Sequence, residues 1–202
     1  MITIIDLDIG NVGSIKNMLK SLNVESITTR NFKDIDKAKK IILPGVGAFD
    51  TAIKSLKKFE ILESLNKKAK EDKIPILGIC LGMQLLTNFS EEGSEEGLGW
   101  IDAETLRFDF KTAKYKIPHM GWNNIKVSKK SNLTEGFNNE TRFYFVHSYY
   151  VKVKNEKNSI LKSNHCIEFD SGISEGNIYG VQFHPEKSHK YGKLLLKNFS
   201  NI

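Results

Sequence analysis

The first half of the chain alternates short apolar runs with segments of helical periodicity. Of all the features of the sequence, this alternation most restricts the possible fold classes. Ile15, Met18, Leu19 and Leu22 recur at helical spacing between two such runs. Strands that alternate with helices at this spacing form a parallel sheet covered on both faces. The runs predicted as strands span residues 2–6, 25–29, 40–43 and 74–80.

The second half changes character, because its apolar runs follow one another without long helices between them. Such runs are typical of antiparallel strands. The sequence therefore predicts a single α/β domain over residues 1–202 with a mixed central sheet, closed by a helix over 190–199. The predicted strands of this half span 122–127, 141–146, 149–153, 165–169 and 178–183.

Composition excludes several classes of protein. The chain has 30 basic and 24 acidic residues, but its lysines are scattered and no basic cluster contains aromatic residues, so we expect no nucleic-acid partner. No apolar run approaches the roughly 20 residues needed to span a bilayer, and the N-terminus has no basic leader, so we expect a cytoplasmic protein away from membranes. His119 and His189 have no metal-ligand spacing, and no Walker motif is present. We expect neither a metal nor another cofactor.

A candidate nucleophile lies in the segment Gly78-Ile79-Cys80-Leu81-Gly82, between a predicted strand and a predicted helix. Flanking glycines allow a sharp turn that exposes the middle side chain, and a cysteine at a helix N-terminus is favoured as the thiolate. The amide of Leu81 would then face a developing oxyanion. Taken alone, the segment is equally typical of a small buried cysteine between two turn glycines.

The candidate base follows another predicted strand, in Gln182-Phe183-His184-Pro185-Glu186. In extended chain, residues two apart point the same way, so His184 and Glu186 can face one site. The imidazole would move the proton and the carboxylate would orient the ring. A surface His-Pro turn is the alternative, but the cysteine segment favours a Cys80–His184–Glu186 triad.

A third segment, Leu43-Pro44-Gly45-Val46-Gly47, directly follows a predicted strand. Its glycines allow a peptide to rotate, so an amide at Val46 or Gly47 could be a second oxyanion donor. Without the other two segments, an ordinary strand-to-helix loop would be the better interpretation.

With these segments the sequence resembles the class I glutamine amidotransferases over nearly its whole length. Within that family it is most similar to the glutaminase subunits of imidazole glycerol phosphate synthases. The resemblance implies a three-layer α/β fold with a mostly parallel mixed sheet between helices. It rests on residues 44–49, 78–84, 118–123 (Pro-His-Met-Gly-Trp-Asn), 147–149 and 182–188.

The resemblance implies a reaction and its binding residues. Glutamine would be hydrolysed to glutamate and ammonia through a thioester on Cys80, without a cofactor. The ammonia would pass to a separate (β/α)8 cyclase subunit that makes imidazole glycerol phosphate in histidine biosynthesis. The glutamine head group would be held by Gln84, Glu92, His147, Ser148 and Tyr149.

The resemblance also implies a cyclase-facing surface, and here the sequence departs from the family. The usual N-terminal motif Asp-Tyr-Gly-x-Gly-Asn reads Asp6-Leu7-Asp8-Ile9-Gly10-Asn11 in this chain, without the aromatic residue and the first glycine. The predicted interface residues are Gly10, Asn11, Pro118, His119, Met120, Trp122, Asn123 and Lys187.

Four other functions can be compared with the sequence. A paralogue of the same subunit could supply ammonia to a cyclase-like partner that aminates a surface-carbohydrate sugar. A free-standing cysteine hydrolase would work without a partner. A non-catalytic scaffold would lack a triad residue, and a papain-like peptidase would not need the head-group residues Gln84 and Glu92. Cys166 has no flanking elbow glycines, so we expect it to be packed in the interior rather than catalytic.

Overall fold

The computed structural model describes residues 1–110 and 115–202, and it confirms an α/β fold with a mixed central sheet between helices. The helices are α1 (Val12–Ser21), α2 (Phe32–Asp36), α3 (Phe49–Lys58), α4 (Leu62–Lys70), α5 (Leu81–Leu85) and α6 (His189–Asn201). The strands are β1 (Ile2–Ile5), β2 (Ser26–Thr29), β3 (Ile41–Gly45), β4 (Ile76–Cys80), β5 (Phe89–Ser90), β6 (Ala103–Arg107), β7 (His119–Asn124), β8 (Lys126–Val127), β9 (Arg142–His147), β10 (Tyr149–Val153), β11 (Ser159–His165), β12 (Ile167–Glu175) and β13 (Ile178–Val181).

The central sheet has a parallel half and a largely antiparallel half. Its main strand order is β2-β1-β3-β4-β13-β12-β10-β6-β5. From β2 to β13 neighbouring strands are parallel, and from β13 through β12 and β10 to β6 each strand is antiparallel to the next. Strands β7 and β9 form a separate antiparallel pair. The last strand of the chain, β13, is thus inserted beside β4 at the centre of the sheet.

The side chains of β1 pack in two hydrophobic clusters, one on each face of the central sheet. Ile2 and Ile4 pack in one hydrophobic cluster, with Ile15 of α1 and Leu195 of α6. Ile5 packs in the other cluster, with residues of α2, α3 and α4. Because successive side chains of a strand point to opposite faces, an unbroken apolar run indicates burial on both faces. The three-layer arrangement that the family resemblance implies is confirmed.

The predicted strand over 165–169 is wrong. That segment contains the end of β11, a turn at Cys166 and the start of β12. Cys166 has φ +65° and its side chain is exposed, so the prediction that it is packed in the interior is also wrong. Neither Cys166 nor its two neighbours, His165 and Ile167, is a residue that favours turns, so the sequence gives no signal of a turn at this position.

The topology brings three strand ends to one place. Gly45 at the end of β3 pairs with Cys80 at the end of β4, and Val181 at the end of β13 pairs with Ile79. Ligands of open α/β sheets bind outside the carboxyl ends of parallel strands. The three segments singled out in the sequence all follow these ends.

Candidate active site

Cys80 lies at a strained turn between β4 and α5. Its backbone has φ +55° and ψ −111°, and the residue is 7% exposed. A non-glycine residue in this region costs of order 1–3 kcal/mol, and such strain clusters at functional sites. The helix after the turn is short, since α5 ends at Leu85.

The two glycines of the segment make the tight turn possible. A Cβ on Gly82 would lie 1.8 Å from the carbonyl oxygen of Leu43 on β3, and a Cβ on Gly78 would lie 2.6 Å from the carbonyl oxygen of Gly82. No side chain fits at either distance. The glycines therefore let the elbow pack directly against the neighbouring strand, which holds Cys80 at the edge of the sheet.

His184 and Glu186 meet, although not by the geometry expected from the sequence. His184 has an extended backbone, but residues Pro185–Lys187 form a 3-10 turn rather than extended chain. The turn brings the two side chains together, and His184 Nδ1 lies 2.7 Å from Glu186 Oε1. Both side chains are buried, with 1% and 3% of their surfaces exposed. Glu186 thus orients the imidazole of His184.

Cys80 is the neighbour on the other side of His184. Burial lowers the pKa of His184, but hydrogen bonding and charge interactions with Cys80 and Glu186 together have the larger and opposite effect. The pKa of His184 is therefore raised to about 10. His184 Nε2 is buried and has no hydrogen-bond partner among the described residues. A protonated imidazole at neutral pH stabilises a thiolate beside it and can later donate a proton to a leaving group.

A cavity of about 320 Å³ opens in front of this group. Such a volume lies at the small end of ligand pockets. A larger open groove, between α2 and α4, contains none of the predicted site residues. The smaller cavity is lined by Val46, Gly47, Cys80, Leu81, Gln84, Glu92, Pro118, Val146, His147, Ser148, Tyr149 and His184.

Glu92 connects the cavity to the predicted oxyanion loop. Its Oε2 atom accepts a hydrogen bond of 2.9 Å from the backbone N–H of Phe49, the first residue of α3. Burial raises the pKa of Glu92, the Phe49 amide acts in the opposite direction, and the charge of Asp50 raises it further. Val46 and Gly47 lie exposed between β3 and this anchor, and Gly47 has φ +108°. The carboxylate is therefore placed to fix one end of the loop.

Gln182 is a site residue that the sequence reasoning missed. It is fully buried, and its Nε2 atom lies 3.8 Å from the sulfur of Cys80. Its Oε1 atom accepts a hydrogen bond of 3.1 Å from Gln84 Nε2. The alternation that placed His184 at the site could have found it, since residues two apart in extended chain share a face.

The predicted interface segment on β7 alternates between outside and inside. Met120 is 62% exposed and Trp122 is 44% exposed. His119 is different from the prediction: it is only 4% exposed and packs inward, so it is not a surface contact. Pro118 lines the cavity, while the Asn123 side chain donates to the carbonyl oxygen of Asn164.

Other predicted interface residues are exposed beside the cavity or at the N-terminal loop. Lys187 is exposed, and its ammonium group lies 5.7 Å from the centre of the Tyr144 ring. Gly10 and Asn11 are also exposed, and Asn11 caps α1 by accepting a hydrogen bond from the Ser14 amide. A Cβ on Gly10 would lie 3.5 Å from Gly45 Cα, so this loop lies close to the end of β3.

Asp8, at which the sequence departs from the family motif, is paired with Arg30. Asp8 stands where the family has glycine, and it has φ +60°. Both of its carboxylate oxygens accept hydrogen bonds from the guanidinium of Arg30, at 2.6 and 2.5 Å, and Arg30 also contacts Asp6. Arg30 in turn lies over the ring of Phe59. The substituted loop is thus held in shape by side chains.

The part of the chain that the structure describes has no group of three or more His, Cys, Asp or Glu side chains arranged to hold a metal ion. Nor does it have a helix long and apolar enough to cross a membrane.

Comparison with known proteins identifies the family. The profile of the family described as glutamine amidotransferase class-I matches residues 3–201. The chain therefore belongs to the class I glutamine amidotransferases. Solved structures show the same fold at low identity: a glutamine amidotransferase has a TM-score of 0.76 and 19% identity, with 100% and 99% of the two chains covered. The structure of PurLQS from Thermotoga maritima has a TM-score of 0.76 and 18% identity, with 99% and 97% covered.

Full-length relatives place it within that family. The chain is 53% identical over 199 residues to imidazole glycerol phosphate synthase subunit HisH 2 of Methanococcus maripaludis, which covers 98% of both chains. It is 43% identical to subunit HisH 2 of Pseudomonas aeruginosa and 43% identical to subunit HisH of Bdellovibrio bacteriovorus, over 100% of each chain. Its place is thus among the HisH subunits, and the predicted resemblance is confirmed.

Proposed function

We propose that residues 1–202 act as one glutaminase domain, the ammonia-producing subunit of an imidazole glycerol phosphate synthase in histidine biosynthesis. It hydrolyses L-glutamine to glutamate and ammonia and passes the ammonia to a (β/α)8 cyclase subunit. The observation that carries the chemistry is the Cys80–His184–Glu186 group at the mouth of the small cavity. The observation that favours the histidine-pathway cyclase as the acceptor of the ammonia is the full-length similarity to HisH subunits.

The chemistry follows from the geometry in two steps. The Cys80 thiolate attacks the side-chain amide carbon of glutamine, and protonated His184 donates its proton to the leaving ammonia. The resulting thioester is then attacked by water, from which neutral His184 removes a proton. Collapse of this second intermediate releases glutamate and restores the thiolate. In both steps an oxyanion forms, and the Leu81 amide with an amide of Val46 or Gly47 would stabilise it.

The cavity wall suits the head group of a small amino acid. Glu92 offers a carboxylate to the α-ammonium group, and Gln84 and Tyr149 offer polar groups beside it. A cavity of about 320 Å³ is of a size that suits a single amino acid. The small volume therefore favours glutamine over the chain substrates of a peptidase.

The surface beside the cavity suits a protein partner. Val46, Met120 and Trp122 are apolar residues that are 40%, 62% and 44% exposed. Arg142 lies 5.8 Å from the Trp122 ring, and Lys187 lies over Tyr144. Aromatic, methionine and arginine side chains are enriched in protein interfaces, whose apolar centre is surrounded by a polar rim. We propose this surface as the cyclase contact.

Two observations are consistent with a different acceptor for the ammonia. The Asp6–Asn11 segment departs from the family motif, and two of the closely similar relatives carry the number 2 in their names. A second copy of such a subunit could serve a cyclase-like partner that aminates a surface-carbohydrate sugar. The chemistry at Cys80 would be the same in both cases.

The first experiment measures glutamate release from glutamine by the chain alone and with candidate cyclase subunits. We expect little activity alone and strong stimulation by the histidine-pathway cyclase with its nucleotide ligand, since oxyanion donors completed on docking prevent waste of glutamine. Stimulation only by another barrel partner would assign the protein to sugar amination. Full activity without any partner would contradict the coupled-subunit proposal and leave a free-standing hydrolase.

The exposed indole should be important for docking. We expect Trp122→Ala to raise the Kd for the cyclase at least about tenfold, because an exposed aromatic at the centre of an interface is a typical hot spot. Isothermal titration calorimetry would measure the Kd. Phe32→Ala is the matched control, since Phe32 is 47% exposed but lines the groove at α2 instead of the cavity. Equal affinity of the Trp122 variant and the control would remove this surface from the interface.

A further inference from the structure

Two buried histidines, one in the wall of the cavity and one behind it, take no part in the proposed bond-making steps. His119 on β7 and His147 on β9 are directly opposite each other in the strand register. The two residues are 4% and 6% exposed, and His119 Nδ1 lies 2.8 Å from His147 Nε2. A buried hydrogen bond between two imidazoles requires one defined proton arrangement, because each neutral ring has one donor and one acceptor.

That arrangement can be read from the two ends of the pair. His147 Nδ1 lies 2.7 Å from the carbonyl oxygen of Tyr149, so this nitrogen carries the proton. His147 Nε2 is then the acceptor, and His119 Nδ1 must donate to it. His119 Nε2 accepts in turn from the Asn123 amide at 3.1 Å. Both rings are neutral: burial is the first cause that lowers the pKa of His147 to about 3 and that of His119 to about 4.

The chain of hydrogen bonds continues into the cavity wall. The Tyr149 carbonyl that accepts from His147 lies 3.4 Å from Gln84 Nε2. Gln84 also donates to Gln182, whose amide nitrogen lies 3.8 Å from the Cys80 sulfur. His147, Tyr149 and Gln84 all line the cavity, whereas His119 does not. His119 therefore reaches the polar wall of the cavity from behind, through its hydrogen bond to His147.

The surroundings of His119 hold its ring in place. It stacks on Phe145, with ring centres 4.8 Å apart, and on His165, with ring centres 4.2 Å apart. Because Asn123 also donates to the Asn164 carbonyl, the amide that reaches His119 is itself anchored on β11. The ring thus has one orientation, in which Nδ1 points at His147.

From this geometry we infer that His119 is a positioning residue for the glutamine site. It does not touch the substrate. It donates to His147, which leaves both nitrogens of His147 occupied and fixes the carbonyl of Tyr149 and the amide of Gln84 against it. The inference rests on the proposed glutaminase function. Loss of the donor should loosen the wall that receives the amino-acid head group and leave the reacting groups at Cys80 in place.

Three variants test this in the complex with the stimulating cyclase. His119→Leu removes the donor and should raise the KM for glutamine about tenfold with kcat within about twofold, because a buried acceptor is left unsatisfied. His119→Asn keeps an N–H near the position of Nδ1 and should keep KM within about threefold of the wild type. Ser163→Ala is the matched control, since Ser163 is a buried residue that donates to β7 at the Asn124 carbonyl and also bonds to Ser171. It should leave both constants unchanged.

A second measurement separates the wall from the nucleophile. In a Cys166→Ser background, we would alkylate Cys80 with iodoacetamide, which has no amino-acid head group, and with a glutamine-shaped chloroketone. His119→Leu should raise the saturation constant of the chloroketone about tenfold and leave the iodoacetamide rate unchanged. Equal shifts with both reagents would indicate a general disturbance of the fold and overturn the positioning role.

The remaining outcomes are also decisive. A wild-type KM in His119→Leu, or a KM in His119→Asn as high as that in His119→Leu, would overturn the inference. If His119→Leu does not fold, ¹⁵N NMR of the wild-type histidines provides the test, since both rings must be neutral with the proton on Nδ1. A proton on Nε2 of His119 is incompatible with donation to His147. A wild-type chain without glutaminase activity under any partner would instead contradict the proposed function.

Discussion

Replacing Cys80 with alanine should abolish glutamine hydrolysis, with a loss of at least about four orders of magnitude in kcat. The sulfur of Cys80 is the atom that forms the thioester, so the alanine variant has no route through a covalent intermediate. Cys80→Ser should be almost as inactive, because a hydroxyl beside His184 is a far weaker nucleophile than a thiolate at neutral pH. Glutamate release with the stimulating partner would measure both variants.

The same variants should remain folded and bind the partner. Alanine keeps the Cβ of Cys80 and adds no atom to the elbow, where the residue is 7% exposed. Cys166→Ala is the matched control, since Cys166 is the only other cysteine and lies exposed at the turn between β11 and β12. Wild-type turnover in the Cys80 variant together with lost activity in the Cys166 variant would show that the nucleophile is assigned to the wrong cysteine.

Removing the imidazole should be nearly as damaging as removing the thiol. We expect His184→Ala to reduce kcat about 10³-fold or more, and Glu186→Gln to reduce it less, about 10²-fold. The difference has a structural reason: His184 is placed against Cys80 and moves the proton, whereas Glu186 contacts only the far nitrogen of the ring, at 2.7 Å. Single-turnover kinetics of thioester formation would measure both effects.

The pH dependence separates the two roles. The pKa of His184 is raised to about 10, so the imidazolium is present at neutral pH and is lost as the pH rises through that value. Glu186 is one of the two groups that raise this pKa. Glu186→Gln should therefore move the alkaline limb of the activity profile to lower pH. An unchanged alkaline limb in Glu186→Gln, or equal losses in the two variants, would contradict the orienting role of the carboxylate.

Local features of this fold could be predicted, because they depend on residues close in sequence. The alternation of apolar runs predicted the parallel half of the sheet, and the glycines around Cys80 predicted the elbow. The contact between His184 and Glu186 was predicted with the correct residues but the wrong backbone, since Pro185 begins a 3-10 turn. A short local turn of this kind has no periodicity that separates it from extended chain.

Long-range pairing was not predictable from a single sequence. Insertion of β13 beside β4 brings Gln182 to Cys80, and pairing of β7 with β9 brings His119 to His147. Each contact depends on strand register, and a shift of one residue would turn the side chain to the other face. The exposed turn at Cys166 was missed for a different reason, because a positive φ at a residue other than glycine has no strong sequence signal.

The loop at Asp8 depends on a residue distant in sequence for its shape. Aspartate tolerates φ +60° better than most residues, but glycine, the residue of the family motif, takes that conformation without cost. Asp8 is held there by both of its contacts with Arg30. Without Arg30, Asp8 would keep its left-handed backbone but lose both of these hydrogen bonds, so the loop beside the end of β3 would be less firmly held.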